Sequence, residues 1–481
     1  MGIDNGDRPY YTSLMSMGRR TRERQPPLWV PTTALPTAAS HPFYTRLNQL
    51  LRAHGFDDFA ETQCAGFYAT TLGRPGLAPG IYFRLLMVGY FEGLDSERGI
   101  AWRAADSLTL RDFLGLTLPE TPPDHTTIAR TRRLIDLETH RAVFTWVLQR
   151  LGDAGLVKGQ VLGVDATTLE ANAAMRSIVR RDTGDGYSAF LTQLAVTSGI
   201  ETPTRADLTR VDRTRKKKGS NDDWTSPADP DAKITKMKDG RTHLAHKAEH
   251  AVDLDTGAVV AVTVHDAHRG DTSTFPETLA EAVDQLDQVT DPDGAPVPLG
   301  DDIVTDKGGH SRAVLLDLRD AGFRTYISEP DRPRHCWQGQ HAARDAVYAN
   351  RRRIRGARGL ALLRRRGELL ERTFAHAYTT GAMRRTHLRG HANIAKRLLV
   401  HLGAFNLGLL MRQLLGAGTP RGLQDRAAAY RTWLVARWAL MVSTIAWWWA
   451  VNDRTAVTLA VRPTASRCHG RFVILPFTPG C

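Results

Sequence analysis

Three carboxylates have the type and setting to do chemistry: Asp165, Asp306 and Glu371. Asp165 closes the apolar run Val161-Leu162-Gly163-Val164, and Asp306 closes Ile303-Val304-Thr305. Both runs read as short buried strands. Both acids are therefore expected at C-terminal strand ends, the edge where ligands gather in α/β sheets. Glu371 is expected on a later, Arg-rich helix. Mg²⁺ takes oxygen ligands and keeps several waters, so one or two carboxylates per ion suffice when substrate phosphate completes the shell. Two such ions, ~4 Å apart, can activate an attacking oxygen and stabilise a leaving one in an in-line displacement. Mn²⁺ suits the same oxygen ligands. Each residue also has a commoner role. An Asp after a strand caps turns, and a Glu among arginines forms a solvated ion pair. The basic surroundings of Glu371 give the trio its weight.

Those surroundings dominate the charge of the chain. The 481 residues carry a net +13. Residues 331–400 hold 17 Lys or Arg against 4 Asp or Glu, and residues 401–481 hold 9 against 2, so the first 330 residues are net negative. A basic surplus placed this way calls for an acidic partner, and nucleic acid is the usual one. The 42% apolar and 24% charged composition excludes a mostly disordered chain and a collagen-like fibre. Four scattered cysteines without a CxxC pair indicate neither a zinc ribbon nor a disulfide framework, and a reducing, cytosolic setting follows. No GxGxxG or Walker loop is present, so nucleotide-fuelled chemistry is unsupported. The uncharged stretch 438–451 falls short of the ~20 residues a spanning helix needs, and no membrane role is expected.

The elements that must position the acids fall into four parts. Residues 1–27 read as a flexible basic arm. Residues 28–155 read as an all-α region, with apolar stripes such as Tyr82, Leu85, Leu86 and Tyr90. After a Pro-rich break, Asp124 is a candidate N-cap for a helix carrying Arg130, Arg132 and Arg133. A short turn feeding such a helix is how a helix-turn-helix presents its DNA-reading element, and an ordinary solvated basic helix looks the same. Residues 156–415 read as an α/β domain with a mixed sheet and a polar insertion at about 176–240. Its order is strand, insertion, a hairpin across Asp255-Thr256-Gly257, helix, strand, helix, strand. The alternation around His243, His246 and His250 favours a strand over a zinc-binding helix. Residues 416–481 form an atypical tail in which five of ten tryptophans fall within 17 residues, an aggregation risk if exposed.

Four segments carry a family resemblance. They are Gly163-Val164-Asp165-Ala166-Thr167-Thr168-Leu169-Glu170-Ala171-Asn172, Lys238-Asp239-Gly240-Arg241-Thr242-His243 with Lys247, the turn Thr305-Asp306-Lys307-Gly308, and Glu371-Arg372-Thr373-Phe374. With Gly89-Tyr90-Phe91-Glu92-Gly93 near the front, the order resembles bacterial insertion-sequence transposases of the DDE class, from about residue 28 to about residue 412. The resemblance implies an RNase H-like mixed-sheet catalytic core preceded by a helical, helix-turn-helix-like DNA-binding region. It implies that Asp165 bridges two Mg²⁺ ions, or Mn²⁺ in their place, while Asp306 and Glu371 each complete one. It further implies hydrolytic nicking at the ends of a mobile element, strand transfer by the freed 3′-OH, a homodimer on double-stranded DNA, and a cytoplasmic, nucleoid-associated location.

Lys307, Arg364, Arg365, Arg366 and Arg372 join Arg130, Arg132 and Arg133 as candidate DNA contacts; Lys307 and Arg372 have equally plain surface readings. Glu368 rivals Glu371 because it shares its helix face; the family places its acid directly before Arg and two before an aromatic, which favours Glu371. The sequence departs from the family at Gly309, where an aromatic is usual, and throughout the tail. A catalytically decayed element that only binds its ends and represses is the competing reading. An RNase H-like repair nuclease is another.

Overall fold

The computed structural model describes residues 41–458, apart from 70–75, 118, 216–218, 238 and 332–335. The expected basic arm and the end of the tail lie outside these residues.

Seven helices come first: α1 (Pro42–Ala53), α2 (Phe56–Cys64), α3 (Pro79–Phe91), α4 (Glu97–Asp106), α5 (Leu108–Phe113), α6 (His125–Leu134) and α7 (Leu137–Asp153). Side-chain caps set several starts. Ser96 accepts the Gly99 N–H, Ser107 the Leu110 N–H, and Asp136 the Thr139 N–H. Asp124 accepts the Thr127 N–H at 2.7 Å, which starts α6 where its sequence predicts. α3 was expected to bury one stripe; it is buried nearly all round, since other helices pack on every side.

The sheet is built on β1 (Val161–Glu170). After it come the short β2 (Val179–Arg180), α8 (Tyr187–Thr197), α9 (Arg205–Thr214), β3 (Trp224–Thr225) and β4 (Lys233–Lys236). The hairpin follows as β5 (Thr242–Asp253) and β6 (Val259–Asp266), then α10 (Asp271–Leu286), β7 (Asp302–Thr305), α11 (Arg312–Asp320) and β8 (Arg324–Ile327). β6 and β4 share one edge of β5, β5 pairs antiparallel with β1, and β7 and β8 follow in parallel on the other side. This mixed sheet with helices on both faces is the α/β, RNase H-like arrangement the sequence predicts. The insertion has its own small apolar cluster around Trp224. Asp229 ties it to the core, because its buried carboxylate meets His246 Nε2 at 2.9 Å and accepts the Gly390 N–H.

One expected boundary moves. Asp165 was placed at the end of its strand, but β1 runs five residues further, to Glu170. The cause is β5, whose twelve residues keep β1 paired as far as Glu170↔Ala245.

The described residues end with α12 (His341–Arg355), α13 (Ala357–Phe374), α14 (His391–Leu415) and α15 (Pro420–Thr458). A π-helical turn, Ala375–Thr380, extends α13. α13 continues through Gly367 because Leu362 and Leu370 bury against the sheet. α14 joins the two halves of the molecule, packing on α3, α7 and β6. Its Asn406 accepts the Val259 N–H and donates to the Val259 carbonyl, completing the edge of β6. Its Arg397 is wholly enclosed and donates to the carbonyls of Leu86 and Leu94 at 3.2 Å. Burial pulls that guanidinium down to about 10. Gly89 leaves the space it needs, since a Cβ there would collide with Arg397 Nη2. The run 391–445 is apolar and long enough to cross a membrane, but 72% of its most apolar window is buried inside the protein. α15 exposes Trp433, Val435, Trp438 and Leu440, as its composition forewarns.

Gly89→Ala should therefore destabilise the protein by about 1–3 kcal/mol, as forced overpacking does; urea unfolding checks this. A second expectation concerns pH. Burial holds three imidazoles neutral, with His140 lowered to about 4 and His250 and His401 to about 3. In the unfolded chain they protonate below about 6.5. The unfolded state thus binds more protons between these values, so stability is full above about 6.5 and falls as the pH drops. The melting temperature at pH 5 should lie below that at pH 7, and an unchanged value would contradict the assignment.

Candidate active site

The parallel ladder of β1 and β7 ends at Val164↔Thr305. The next residues on the two strands are Asp165 and Asp306, so the register sets the two acids side by side. Residues paired across a ladder share a face of the sheet. Asp165 therefore shares a face with Gly163, against which Leu370 of α13 packs, and with its antiparallel partner His250. Asp306 turns out of β7 into a short 3₁₀ turn and accepts the Gly308 N–H at 2.8 Å.

The Asp165 carboxylate is largely enclosed. Its Oδ1 accepts the Ala166 N–H at 2.8 Å, and Arg366 Nη2 of α13 lies 2.6 Å from Oδ2. That approach is off the hydrogen-bonding direction, so the contact is an ion pair. Desolvation pushes the carboxyl up to about 6. Arg366 and the Ala166 N–H pull against this, while the charges of Asp306 and Asp271 add to it.

Glu371 meets the same face two residues further along. It lines a cavity of about 440 Å³ with Thr167, Thr168 and Glu170 of β1, and with Arg384 and Arg385 beyond the π-turn. Two strand residues span ~7 Å, and the five helical residues from Arg366 to Glu371 rise by a similar distance. α13 thus carries Arg366 to Asp165, while Glu371 is exposed and lines a cavity that neither Asp165 nor Asp306 lines. Below the cavity Tyr378 meets His250 Nε2 at 2.5 Å, and Phe374 lies against the same imidazole. Glu368 instead pairs with Arg372 on the exposed side of the helix.

The other candidate residues are dispersed. Lys307, Arg364 and Arg365 are exposed, and Arg365 also pairs with Asp255 at 3.4 Å. Arg130 and Arg133 are exposed on α6. Arg132 is buried, pairs with Glu97 and donates to Asn393. His246 and His250 alternate with buried alanines on β5, as the strand reading expects, and each holds an oxygen of the surrounding structure.

One acid at this edge was missed. Asp271, the first residue of α10, approaches from the other face of the sheet. A Cβ on Gly308 would collide with Asp271 Oδ2 and lie 2.9 Å from Asp306 Oδ1. Lys247 of β5 holds Asp271 Oδ1 at 2.6 Å. An acid at a helix start looks like an ordinary first-turn residue, so the sequence carries no signal for it.

Among the described residues no group of three or more His, Cys, Asp or Glu side chains is gathered closely enough to hold a metal ion unaided. Asp165 and Asp306 nonetheless fit a hard cation that draws only one or two ligands from protein. They offer oxygen donors, and with no side chain at Gly308 the oxygens Asp306 Oδ1 and Asp271 Oδ2 border one cradle there.

Two comparisons bear on these residues. Residues 36–134 match the family described as "Transposase domain (DUF772)", and residues 203–407 match "Transposase DDE domain". Together the matches cover more than half of the chain and include Asp306 and Glu371, while Asp165 precedes the second. No curated protein and no solved structure matches the chain.

Arg366→Met removes the cation that restrains the Asp165 carboxyl. Without divalent metal, that carboxyl should then titrate above about 6, as followed by ¹³C NMR; a lower value would show that the ion pair is not what holds it down.

Proposed function

The two domains make this chain a DDE transposase of the insertion-sequence kind, and we propose that it nicks the ends of its own element and joins the freed 3′-OH to target DNA. The observation that supports this reading most is the register, which sets Asp165 and Asp306 next after the last β1–β7 pair, Val164↔Thr305. Glu371 is the third acid of the reading. Its support is that it lines a cavity with Thr167 of β1, whereas Glu368 is engaged by Arg372.

Mg²⁺, held by Asp165 and Asp306 with Glu371, would supply a polarised water and neutralise charge on the phosphodiester. Asp165 and Asp306 follow the last β1–β7 pair on neighbouring strands, where a scissile phosphate would meet the cation they hold. Arg366 keeps Asp165 ionised until the substrate is in place and then has a phosphate to turn to. The exposed Lys307, next to Asp306, and the exposed Arg364, Arg365 and Arg372 of α13 suit a DNA backbone. Arg130 and Arg133 suit a more distant stretch of the duplex, while Arg132 steadies α6 from within. Transposition works on paired ends, which makes a homodimer on DNA the expected assembly, acting in the cytoplasm at the nucleoid.

Asp165→Asn, Asp306→Asn and Glu371→Gln should each lower nicking of terminal-repeat DNA by at least about 10²–10³-fold, the scale of losing a main electrostatic stabiliser. DNA binding in a gel-shift assay should survive. Full cleavage by Glu371→Gln with loss in Glu368→Gln would reassign the third acid. A chain that binds ends but never nicks them with Mg²⁺ or Mn²⁺ would be a DNA-binding repressor instead.

A further inference from the structure

Lys247 is a buried ammonium on the α10 face of the sheet. It donates to Asp271 Oδ1 at 2.6 Å and to Thr274 Oγ1 at 2.7 Å. Glu249, two residues along the same strand face, is its more distant partner at 3.7 Å. Glu249 is occupied elsewhere, taking hydrogen bonds from the hydroxyls of Thr274 and Thr278. The buried cation is thus directed chiefly at Asp271, whose side chain is 41% exposed.

A partly exposed first-turn acid does not need a buried lysine to hold it; the helix N-terminus already favours its charge. What Lys247 adds is direction. It fixes one carboxylate oxygen on the α10 side and leaves the other facing the Gly308 cradle. Asp306 Oδ1 borders the same cradle from the opposite side. Carboxylates converging in this way repel each other and raise the cost of ionisation unless a cation enters between them. A side chain at position 308 would fill the cradle.

We infer that Asp271 is a positioning residue of this centre, tethered by Lys247 so that its second oxygen faces the cradle and completes the negative field in which Asp165 and Asp306 take up a divalent cation. The inference rests on the proposed reading of Asp165 and Asp306. Mg²⁺ and Mn²⁺ keep part of their water shell in such sites. A carboxylate set one layer out accepts hydrogen bonds from those waters and tunes the affinity through them.

The test is Mn²⁺ titration of the full-length, metal-free protein, with free Mn²⁺ read by its EPR signal and folding followed by thermal melting. Asp271→Asn should weaken Mn²⁺ binding about tenfold, within the range for losing a carboxylate that acts through a metal's own ligands. Its melting midpoint should stay near that of the wild type. Asp271→Glu should recover much of the affinity, which a merely structural role would not require. Lys247→Met should weaken binding in the same direction by releasing the tether. If Asp165→Asn and Asp306→Asn weaken binding while Asp271→Asn does not, this inference is overturned and the reading of the centre stands. If none of the three weakens binding, both fall.

Discussion

The parallel pairing of β1 with β7 is the constraint on which the candidate site depends. Four ladder pairs, from Val161↔Asp302 to Val164↔Thr305, bring two apolar runs together and leave an acid next on each strand. Burial of the runs drives the pairing, and the acids are carried along. A slip of one residue would send every side chain to the other face, so the core fixes the juxtaposition more firmly than the acids could themselves. The surrounding chemistry is then a response to concentrated negative charge. Arg366 meets Asp165 from α13, the Ala166 and Gly308 N–H groups supply hydrogen bonds, and Lys247 holds Asp271 from the opposite face.

Rigidity comes from elements distant in sequence. β5 is long enough to pair with β1 beyond Asp165, which keeps the acid inside a continuous ladder instead of at a frayed end. α14 fastens the sheet to the first helices through Asn406 on β6 and Arg397 on α3. The apolar core accordingly runs without a break from the α1–α7 helices into the sheet and α14. The glycines at 89 and 93 belong to this joint. One makes room for Arg397, and the other adopts a positive φ against the Thr380 carbonyl that a side chain would strike. The region matching one transposase domain is thereby packed onto the region matching the other.

The positive charge of the last third serves two ends. Arg364 and Arg372 face solvent, where a phosphate backbone can reach them. Arg366 and Arg397 face inward, one to a carboxylate and one to backbone carbonyls. A count of arginines cannot separate these uses, because helix phase decides them. Arg364 and Arg366 are two residues apart and point to different surroundings.

Much was legible in the sequence by itself. Apolar runs placed β1, β7 and β8, the Asp255-Thr256-Gly257 turn placed the β5–β6 hairpin, and Asp124 placed the start of α6. These are local signals, written in periodicity, caps and turn residues. The motif order also carried the family, which the domain matches bear out. What only the tertiary structure decided is long-range. It decided that β1 outruns its apolar stretch because β5 supports it, and that Arg366 answers Asp165 across two hundred residues. It decided too that Glu371 lines a cavity while Glu368 pairs with Arg372, and that Asp271 reaches Gly308 from the far side of the sheet. An ionic side chain gives no period and no propensity that names its partner. Only the packing of helices onto a sheet of defined register brings such groups within reach of each other.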